Sequence, residues 1–433
     1  MDDYHGNGMK VPPLSSHGFV AAVVLLAAAS GQDTLRERIN HALDEARPAL
    51  LAHLKAATDG AGRPGELALV VLAGVHDGLD LKNAVFAQAV QRLAKSRPSE
   101  TYDLALRLLV CEAFAAFPER AELAKKDAKD LLEHRHRSGP FGYGDTPGGW
   151  DLSNTQYGAL GLRAARARGV RIERSVWQKL ADEVGEQQDS YGGFNYGRVN
   201  SGSDAYASMT AAGIAVLAIC RLELEADSKA PKAYEQRIER GWQWFARNLD
   251  TLGSKKERWS YYFHYGLERA AILCDVTAVG GVDWYEKGAT MLVDEQLDGG
   301  GWRSTTDGYP GGHLASGRGD LVPTSFAVLF LRRKFQKVTG PITPHVVVLA
   351  NIGPMSKAPD IEACAAGLVR RGKEAMPDVL RALRSELSTQ RRAAAAALQG
   401  IAGESFGYDA SKDAAANTEA VRKAELWYLK NRG

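Results

Sequence analysis

The densest set of chemically useful side chains in this sequence is WSYYFHYGLER, residues 259–269. Five aromatic residues and His264 fall within seven positions, and Glu268 and Arg269 follow one helical turn later. Aromatic faces can hold a hydrophobic or cationic ligand, and an acid beside a base can transfer protons. The stretch is therefore typical of the wall of a binding or catalytic site.

The same stretch also fits a packed helix. If it is helical, Tyr261, Tyr265 and Glu268 share one face, and Tyr262 and Arg269 share the next. The tyrosines could then pack between helices while the acid and base tie neighbouring elements together. Both interpretations predict burial, and only the first predicts contact with a ligand.

Further polar residues occur where helices are predicted to begin. Two carboxylates across a cleft would suit glycoside hydrolysis, and a Tyr/His/Arg set beside an acid would suit a lyase. Asn154 fits either a helix N-cap or a cavity wall. The candidate catalytic residues are Asp103, Asp204, His264, Glu268 and Arg269. The candidate cavity-lining residues are Asn154, Gln156, Tyr206, Thr210, Tyr261, Tyr262 and Tyr265.

The elements that carry these residues repeat with a period of about 50 positions. Helices that are apolar on nearly all sides alternate with amphipathic ones, so the former are predicted to be inner and the latter outer. The inner helices are predicted to begin near Gly65, Tyr102, Ser153, Ser208, Tyr265 and Thr324. The outer helices are predicted over 35–57, 83–95, 118–134, 173–188, 234–249 and 282–296. Six such hairpins predict an all-α fold, an (α/α)6 toroid, although the period fits an open superhelix equally well.

A second signature lies in the links between hairpins. Gln296 to Trp302 reads QLDGGGW and Gln188 to Phe194 reads QDSYGGF, while a degenerate copy without glutamine ends at Phe141. Glycine permits a tight turn with positive φ, the aromatic ring packs over that turn, and the amide can bond backbone groups at helix ends. Gln188, Phe194, Gln296 and Trp302 are therefore predicted to staple adjacent repeats.

These motifs resemble those of a known family. The Q-x2-G-G-G-W stretch, with DLSNTQYGALGLRAARARGV and YYFHYGLERAAIL, is similar to the prenyltransferase/squalene-oxidase repeats of squalene–hopene cyclases and protein prenyltransferases. The resemblance covers roughly residues 35–337 and is greatest to exported bacterial proteins with these repeats. It implies an α/α toroid, but fold alone does not imply cyclase chemistry.

The chain departs from the functional motifs of that family. The cyclases use an Asp-x-Asp-Asp acid, and this sequence has no D-x-D-D. Its nearest acidic pairs are Asp77/Asp80, predicted in a loop, and Asp127/Asp130, predicted on a solvated helix face. The zinc ligands of the prenyltransferases cannot be matched either, so we expect neither a metal nor another cofactor.

Both ends of the chain differ from the repeats. Phe19–Ala29 is an eleven-residue apolar run followed by small residues, so residues 1–30 are predicted to be a signal peptide rather than a buried helix. The toroid is assigned to 31–340 and a HEAT-like helical segment to 341–433, where HVVVLANIGP is predicted as a strand or linker. The glycine-rich loop 305–320 suits either a lid or a surface loop.

Composition narrows the function. The net charge is +2, with 54 basic and 52 acidic residues, so the protein has no large positive charge that would attract nucleic acid. The four cysteines lie far apart in apolar stretches, which predicts buried free thiols. We expect an exported protein without a transmembrane span after signal removal. It is predicted to be a non-catalytic binding or scaffolding module for a hydrophobic molecule or a protein partner; the alternative is an enzyme, either a divergent terpenoid cyclase or a carbohydrate-active toroid.

Overall fold

The computed structural model describes residues 16–60, 62–144, 149–197, 204–225, 232–254, 257, 259–304, 318–332, 352, 358–385 and 387–431, with the backbone alone for 16–34, 225, 359–360, 363, 370–371, 374 and 377. The helices of the repeats are α1 (Ser16–Asp59), α2 (Pro64–Asp77), α3 (Ala84–Ala94), α4 (Thr101–Ala113), α5 (Arg120–Glu133), α6 (Leu152–Ala167), α7 (Arg174–Glu186), α8 (Ala207–Glu225), α9 (Lys232–Arg247), α10 (Ser260–Cys274), α11 (Trp284–Asp294) and α12 (Leu321–Arg332). A short antiparallel hairpin, β1 (Ala278–Val279) and β2 (Val282–Asp283), precedes α11.

Inner and outer helices alternate as predicted. The even-numbered helices α2 to α12 are buried on nearly all sides, as their continuous apolar sequences require. The odd-numbered helices bury one stripe each; in α9 it runs through Tyr234, Ile238, Trp242 and Phe245. The last two inner helices begin earlier than predicted, at Ser260 and Leu321, because the aromatic and apolar residues before Tyr265 and Thr324 also pack into the core.

The six hairpins close into a ring. Each inner helix packs against the next, and α12 packs against α2. At this seam, Asp77 at the end of α2 accepts hydrogen bonds from Arg332 at the end of α12 (Nε, 2.9 Å) and from Arg47 of α1 (Nε, 2.9 Å). The fold is therefore the predicted (α/α)6 toroid, and the open superhelix that the period also allowed is excluded.

Two acidic residues are buried, of which Asp77 was predicted in a loop and Asp127 on a solvated helix face. Asp77 ends α2 inside the seam, whereas Asp80 is exposed. Asp127 of α5 receives two hydrogen bonds from Arg107 of α4, at 2.7 Å and 2.6 Å, and neither side chain is exposed by more than 1%. The prediction of a solvated face was wrong for Asp127, because a carboxylate on an amphipathic helix can face an arginine of the inner ring. The prediction of a loop was wrong for Asp77, which is the last residue of α2, whereas Asp80 lies beyond the end of the helix.

The glutamines of the link motif do bridge neighbouring repeats. Gln188 donates to the carbonyl oxygens of Gly192 (2.9 Å) and of Arg237 on α9 (2.7 Å). Gln296 makes the same pair of bonds, to Gly300 (2.8 Å) and to Ala42 on α1 (2.7 Å). The second glutamine thus joins the sixth hairpin to the first.

The aromatic residue of each link is held in the same way in three repeats. Its ring is fully buried, and its backbone N–H donates to a threonine hydroxyl on the following inner helix. A Cβ added at Gly213 would clash with the ring of Phe194, so the inner helix has its smallest residue, glycine, where the ring packs. The three bonds are Phe141 to Thr155 (3.1 Å), Phe194 to Thr210 (3.1 Å) and Trp302 to Thr324 (3.0 Å).

The C-terminal helices pack around a separate core. They are α13 (Ala358–Arg371), α14 (Met376–Ala382), α15 (Ser388–Ala402) and α16 (Thr418–Asn431). Leu368, Met376, Leu383 and Leu398 belong to that core, and the HEAT-like assignment stays a prediction. The predicted domain boundary near 340 lies outside the described residues, as does HVVVLANIGP except for Ile352.

Two other predictions can be compared with the structure. All four cysteines are buried and free, as predicted. Among the described residues, one stretch, Ala207–Leu224 of α8, is long and apolar enough to cross a membrane, but 89% of it is buried inside the ring. The predicted signal peptide lies in residues whose side chains the structure does not describe, so it stays a prediction.

Candidate functional site

A cavity of about 570 Å³ opens where the inner helices begin. Their first turns point toward this end of the ring, so all six helices contribute side chains to its wall. Loop residues that precede the helices complete the rim. The lining comprises Arg63, Gly65, Glu66, Leu69, Glu100, Tyr102, Asp103, Leu106, Tyr143, Ser153, Tyr157, Tyr196, Tyr206, Ser208, Met209, Trp259, Tyr262, Val322 and Phe326.

Tyrosines make up much of this wall. The ring centroids of Tyr102 and Tyr157 are 4.4 Å apart, and those of Tyr157 and Tyr262 are 6.1 Å apart. At the rim, the hydroxyl oxygens of Tyr143 and Tyr196 lie 3.3 Å apart. Burial raises the pKa of Tyr102 and Tyr262 well above the usual range, so their hydroxyls remain protonated and can act as hydrogen-bond donors.

The ring is filled beyond the cavity. The Tyr262 hydroxyl donates to Gln156 Oε1 at 2.7 Å, joining α10 to α6, two inner helices that are not neighbours in the ring. Gln156 also lies beside Gly266, one turn farther along α10 than Tyr262. This bond therefore crosses the interior and separates the cavity from the rest of the ring.

Carboxylates line one side of the cavity, near the starts of α2 and α4. Asp103 Oδ1 accepts the backbone N–H of Gly65 at 2.8 Å. Burial raises the pKa of Asp103, and its backbone hydrogen bonds offset only part of that rise. Burial also raises the pKa of Glu66, against the opposing influence of Arg63. Both acids thus sit where the charged form is disfavoured.

Three residues predicted from the sequence lie in this wall: Asp103, Tyr206 and Tyr262. Two others support it without lining it. Asn154 donates from Nδ2 to Asp151 Oδ2 at 2.7 Å, and Asp151 rather than Asn154 is the N-cap of α6, so the N-cap interpretation of Asn154 was wrong. Gln156 supports Tyr262 from behind.

The remaining tyrosine and threonine candidates point elsewhere. The Thr210 hydroxyl is used by the Phe194 link, and the Tyr261 hydroxyl donates to the Arg303 carbonyl at 3.3 Å. Tyr265 packs against Phe326, with ring centroids 5.1 Å apart. None of these three contributes to the cavity lining.

His264 and Asp204 are also outside the cavity. His264 is fully buried toward α11 and α12, with its ring 5.7 Å from that of Phe330 and Nδ1 2.7 Å from the Ser260 carbonyl oxygen. It is two residues from Tyr262, which in a helix turns the side chain by about 200°. Asp204 is exposed, because it lies before the first residue of α8.

Glu268 and Arg269 form a buried acid–base pair deeper in the ring. Their exposed fractions are 0% and 2%, and Arg269 Nη2 lies 3.8 Å from Glu268 Oε2. The Arg269 guanidinium also lies 4.3 Å from the centre of the Tyr265 ring. The end of WSYYFHYGLER is therefore packed interior, whereas Trp259 and Tyr262 near its start face the cavity.

Several lining residues were missed from the sequence, and one repeated signal points to two of them. The link aromatic is followed two positions later by tyrosine in both Phe141-Gly142-Tyr143 and Phe194-Asn195-Tyr196. Alternate residues of an extended segment point to opposite sides, so a buried ring at one position places the tyrosine at the rim. No comparable repeat marks Glu66 or Trp259.

Comparison with protein-family models and with curated protein sequences gave no match. Among solved structures, the type II terpene cyclase MstE from Scytonema is similar in several forms. A variant bound to its substrate geranylgeranyl dihydroxybenzoate has 16% identity and a TM-score of 0.45, covering 69% of this chain and 98% of that one. The apo form has 14% identity and a TM-score of 0.44 over the same shares. Likenesses at this level carry no argument about chemistry, and the toroid follows from the ring closure described above.

Proposed function

We propose that this protein is a non-catalytic, extracytoplasmic binding module that holds a mainly apolar small molecule in the cavity at the mouth of the ring. The observation that carries this proposal is the cavity itself, with eight aromatic side chains among its described lining. Its volume of about 570 Å³ lies within the range of small-molecule pockets. Export is the part of the proposal that rests on the N-terminal apolar run alone.

Plugging the cavity tests this function. Leu106 is 4% exposed and lines the cavity, so the larger ring of Leu106→Trp would take up part of the space that a ligand needs. We expect an apolar, polarity-sensitive fluorophore to bind the unaltered protein and to lose about tenfold or more in affinity in the variant. Leu81→Trp, at a residue 43% exposed, is the matched control and should bind normally. No binding to the unaltered protein, or equal binding to the plugged variant, would refute the proposal.

One observation favours an enzyme instead. Asp103 is a carboxyl group whose pKa is raised by burial, and it lines an aromatic cavity. An acid whose protonated form is favoured by burial, beside aromatic faces, is the kind of group that protonates an alkene, so a divergent terpenoid cyclase is the second candidate. It predicts cyclised products from a polyprenyl alkene, and their loss in Asp103→Asn.

The carbohydrate-active alternative gains less support. A hydrolytic pair needs two carboxylates flanking the bond that is cleaved. Asp204 lies outside the cavity. Glu66 is on the same side of the cavity as Asp103, because Asp103 accepts a hydrogen bond from Gly65, the residue before Glu66. This arrangement does not favour a glycosidase.

A further inference from the structure

The charges on the cavity wall are uneven. Among its described lining residues, Glu66, Glu100 and Asp103 are acidic and only Arg63 is basic, so three negative charges face one positive charge. All four belong to the starts of α2 and α4 or to the residues just before them. The wall therefore has a formal excess of two negative charges on one side.

The contacts that these acids make do not neutralise them. Asp103 Oδ1 accepts a hydrogen bond from an uncharged donor, the Gly65 N–H. Neither Asp103 nor Glu66 is within salt-bridge distance of a basic side chain in the part of the chain that the structure describes. Because burial penalises both carboxylates, a positive charge on a ligand would relieve that penalty.

Aromatic rings lie beside this acidic side. Tyr102 follows the first residue of α4, and its ring contacts Tyr157, which is followed in turn by Tyr262. The faces of tyrosine and tryptophan rings attract a cation within about 6 Å, and clusters of them recognise quaternary ammonium groups. A wall of tyrosines with carboxylates at one side suits a cation that also has apolar surface.

A second polar group lies elsewhere in the lining. Ser208 is on α8, three inner helices away from α2 and so on the opposite side of the ring. Its side chain is 1% exposed and lines the cavity, and its hydroxyl has no hydrogen-bond partner among the described residues. A buried hydroxyl without a partner costs free energy that a ligand's polar group would recover.

We infer that the ligand is an organic ammonium ion whose positive group lies by Glu66 and Asp103. Its apolar body packs on the tyrosines, and a hydroxyl or carbonyl group reaches Ser208. This inference rests on the proposed binding function and names the class of molecule bound. It requires no covalent step.

Two phenols of matched shape test it on the full-length protein. (3-Hydroxyphenyl)trimethylammonium carries the charge, and 3-tert-butylphenol is its neutral isostere. By calorimetry, we expect the ammonium to bind about tenfold or more tightly than the isostere. Glu66→Gln and Asp103→Asn should each reduce that ratio by about threefold or more, because each removes one negative charge.

The controls separate the cation effect from folding and from binding in general. Asparagine at position 103 keeps an oxygen for the Gly65 N–H, and thermal melts check that both variants fold. Asp204→Asn removes an exposed acid outside the cavity and should leave the ratio unchanged. Ser208→Ala should weaken both ligands by a similar factor.

Three results would overturn the inference. Equal affinity for the two phenols would refute the ammonium ligand while leaving the binding function intact. A preference that survives both Glu66→Gln and Asp103→Asn would show that other groups attract the cation. If neither phenol binds, the inference fails, and binding of the apolar fluorophore decides separately whether the proposed function stands.

Discussion

At the scale of single residues, burial decides the charge state of His264. The ring lies among apolar groups, and burial lowers its pKa to about 4, against a smaller opposing effect of the Ser260 carbonyl. The unfolded chain has the ordinary histidine pKa of about 6.5, so it takes up a proton first as the pH falls. The stability that His264 contributes is therefore present above about pH 6.5 and is lost between there and pH 4.

We expect His264→Gln to flatten this acid sensitivity. Between neutral pH and pH 4, the unaltered protein should lose up to about 3 kcal/mol more unfolding free energy than the variant. Urea unfolding at a series of pH values measures it. A difference that does not vary with pH would contradict the buried, neutral state of this histidine.

The Arg107–Asp127 pair gives a second prediction at this scale. Asp127→Ala leaves a fully buried guanidinium without its two carboxylate bonds and should cost about 3–5 kcal/mol. Arg107→Met combined with Asp127→Leu should recover most of that loss, because it leaves no unpaired charge. Asp130→Ala is the matched control, since that acid pairs with Lys126 near the surface. A small effect of Asp127→Ala in denaturant unfolding would refute the role of the pair.

The site was partly predictable at the level of residues. Asp103, Tyr206 and Tyr262 follow from their place at the starts of inner helices. His264 could not be separated from Tyr262 without the rotational phase of α10, because two positions along a helix exchange its inner and outer faces. Phase is set by packing against neighbouring helices, which a single sequence does not record.

At the scale of elements, the link motif holds adjacent hairpins in register. Gln296→Ala removes two partly buried hydrogen bonds to backbone carbonyls and leaves those carbonyls without that donor, so we expect a loss of about 1–3 kcal/mol in stability. Gln188→Ala should cost a similar amount. Thermal or urea denaturation measures both.

Gln399→Ala is the matched control for these glutamines. Gln399 also donates to a glycine carbonyl four residues later, at 2.9 Å. Unlike the link glutamines it is exposed, and this hydrogen bond lies within one helix end rather than between repeats. The expected loss is below about 0.5 kcal/mol. Equal costs at all three positions would mean that bridging between repeats adds nothing.

Helices and links were the most predictable part of this fold. The spacing of apolar residues distinguishes helices that are buried on all sides from helices that bury one stripe. This spacing predicted all twelve helices of the repeats. The boundaries of α10 and α12 were less predictable, because Tyr261, Tyr262 and Leu321 fit a link as well as a first turn. Packing into the core decides between the two.

At the scale of the whole molecule, ring closure was beyond the sequence, because each hairpin has the same local pattern in a ring and in a superhelix. The seam depends on contacts between distant positions, and Asp77 is central to it. Asp77→Asn should weaken the ion pairs that join α1, α2 and α12, at a cost of about 2 kcal/mol. Asp80→Asn, at an exposed neighbour, should cost almost nothing.

Hydrogen exchange distinguishes a weakened seam from general destabilisation. In Asp77→Asn, amides of α2 and α12 should exchange faster, while those of α6 and α8, on the far side of the ring, should change less. Uniform acceleration in all inner helices would contradict a local role for Asp77.

The seam also has a consequence for the order in which the chain is made. Gln296 contacts a residue 254 positions earlier, and α12 is the last helix of the ring, so the first hairpin cannot meet its final neighbour until residue 332 has been synthesised. Until then the nascent chain is a crescent with two apolar edges, the faces of α2 and α10 that α12 will cover. Such edges are sites of aggregation and of chaperone binding. A circular permutant that starts at α3 would leave a different pair of hairpins as the last to meet.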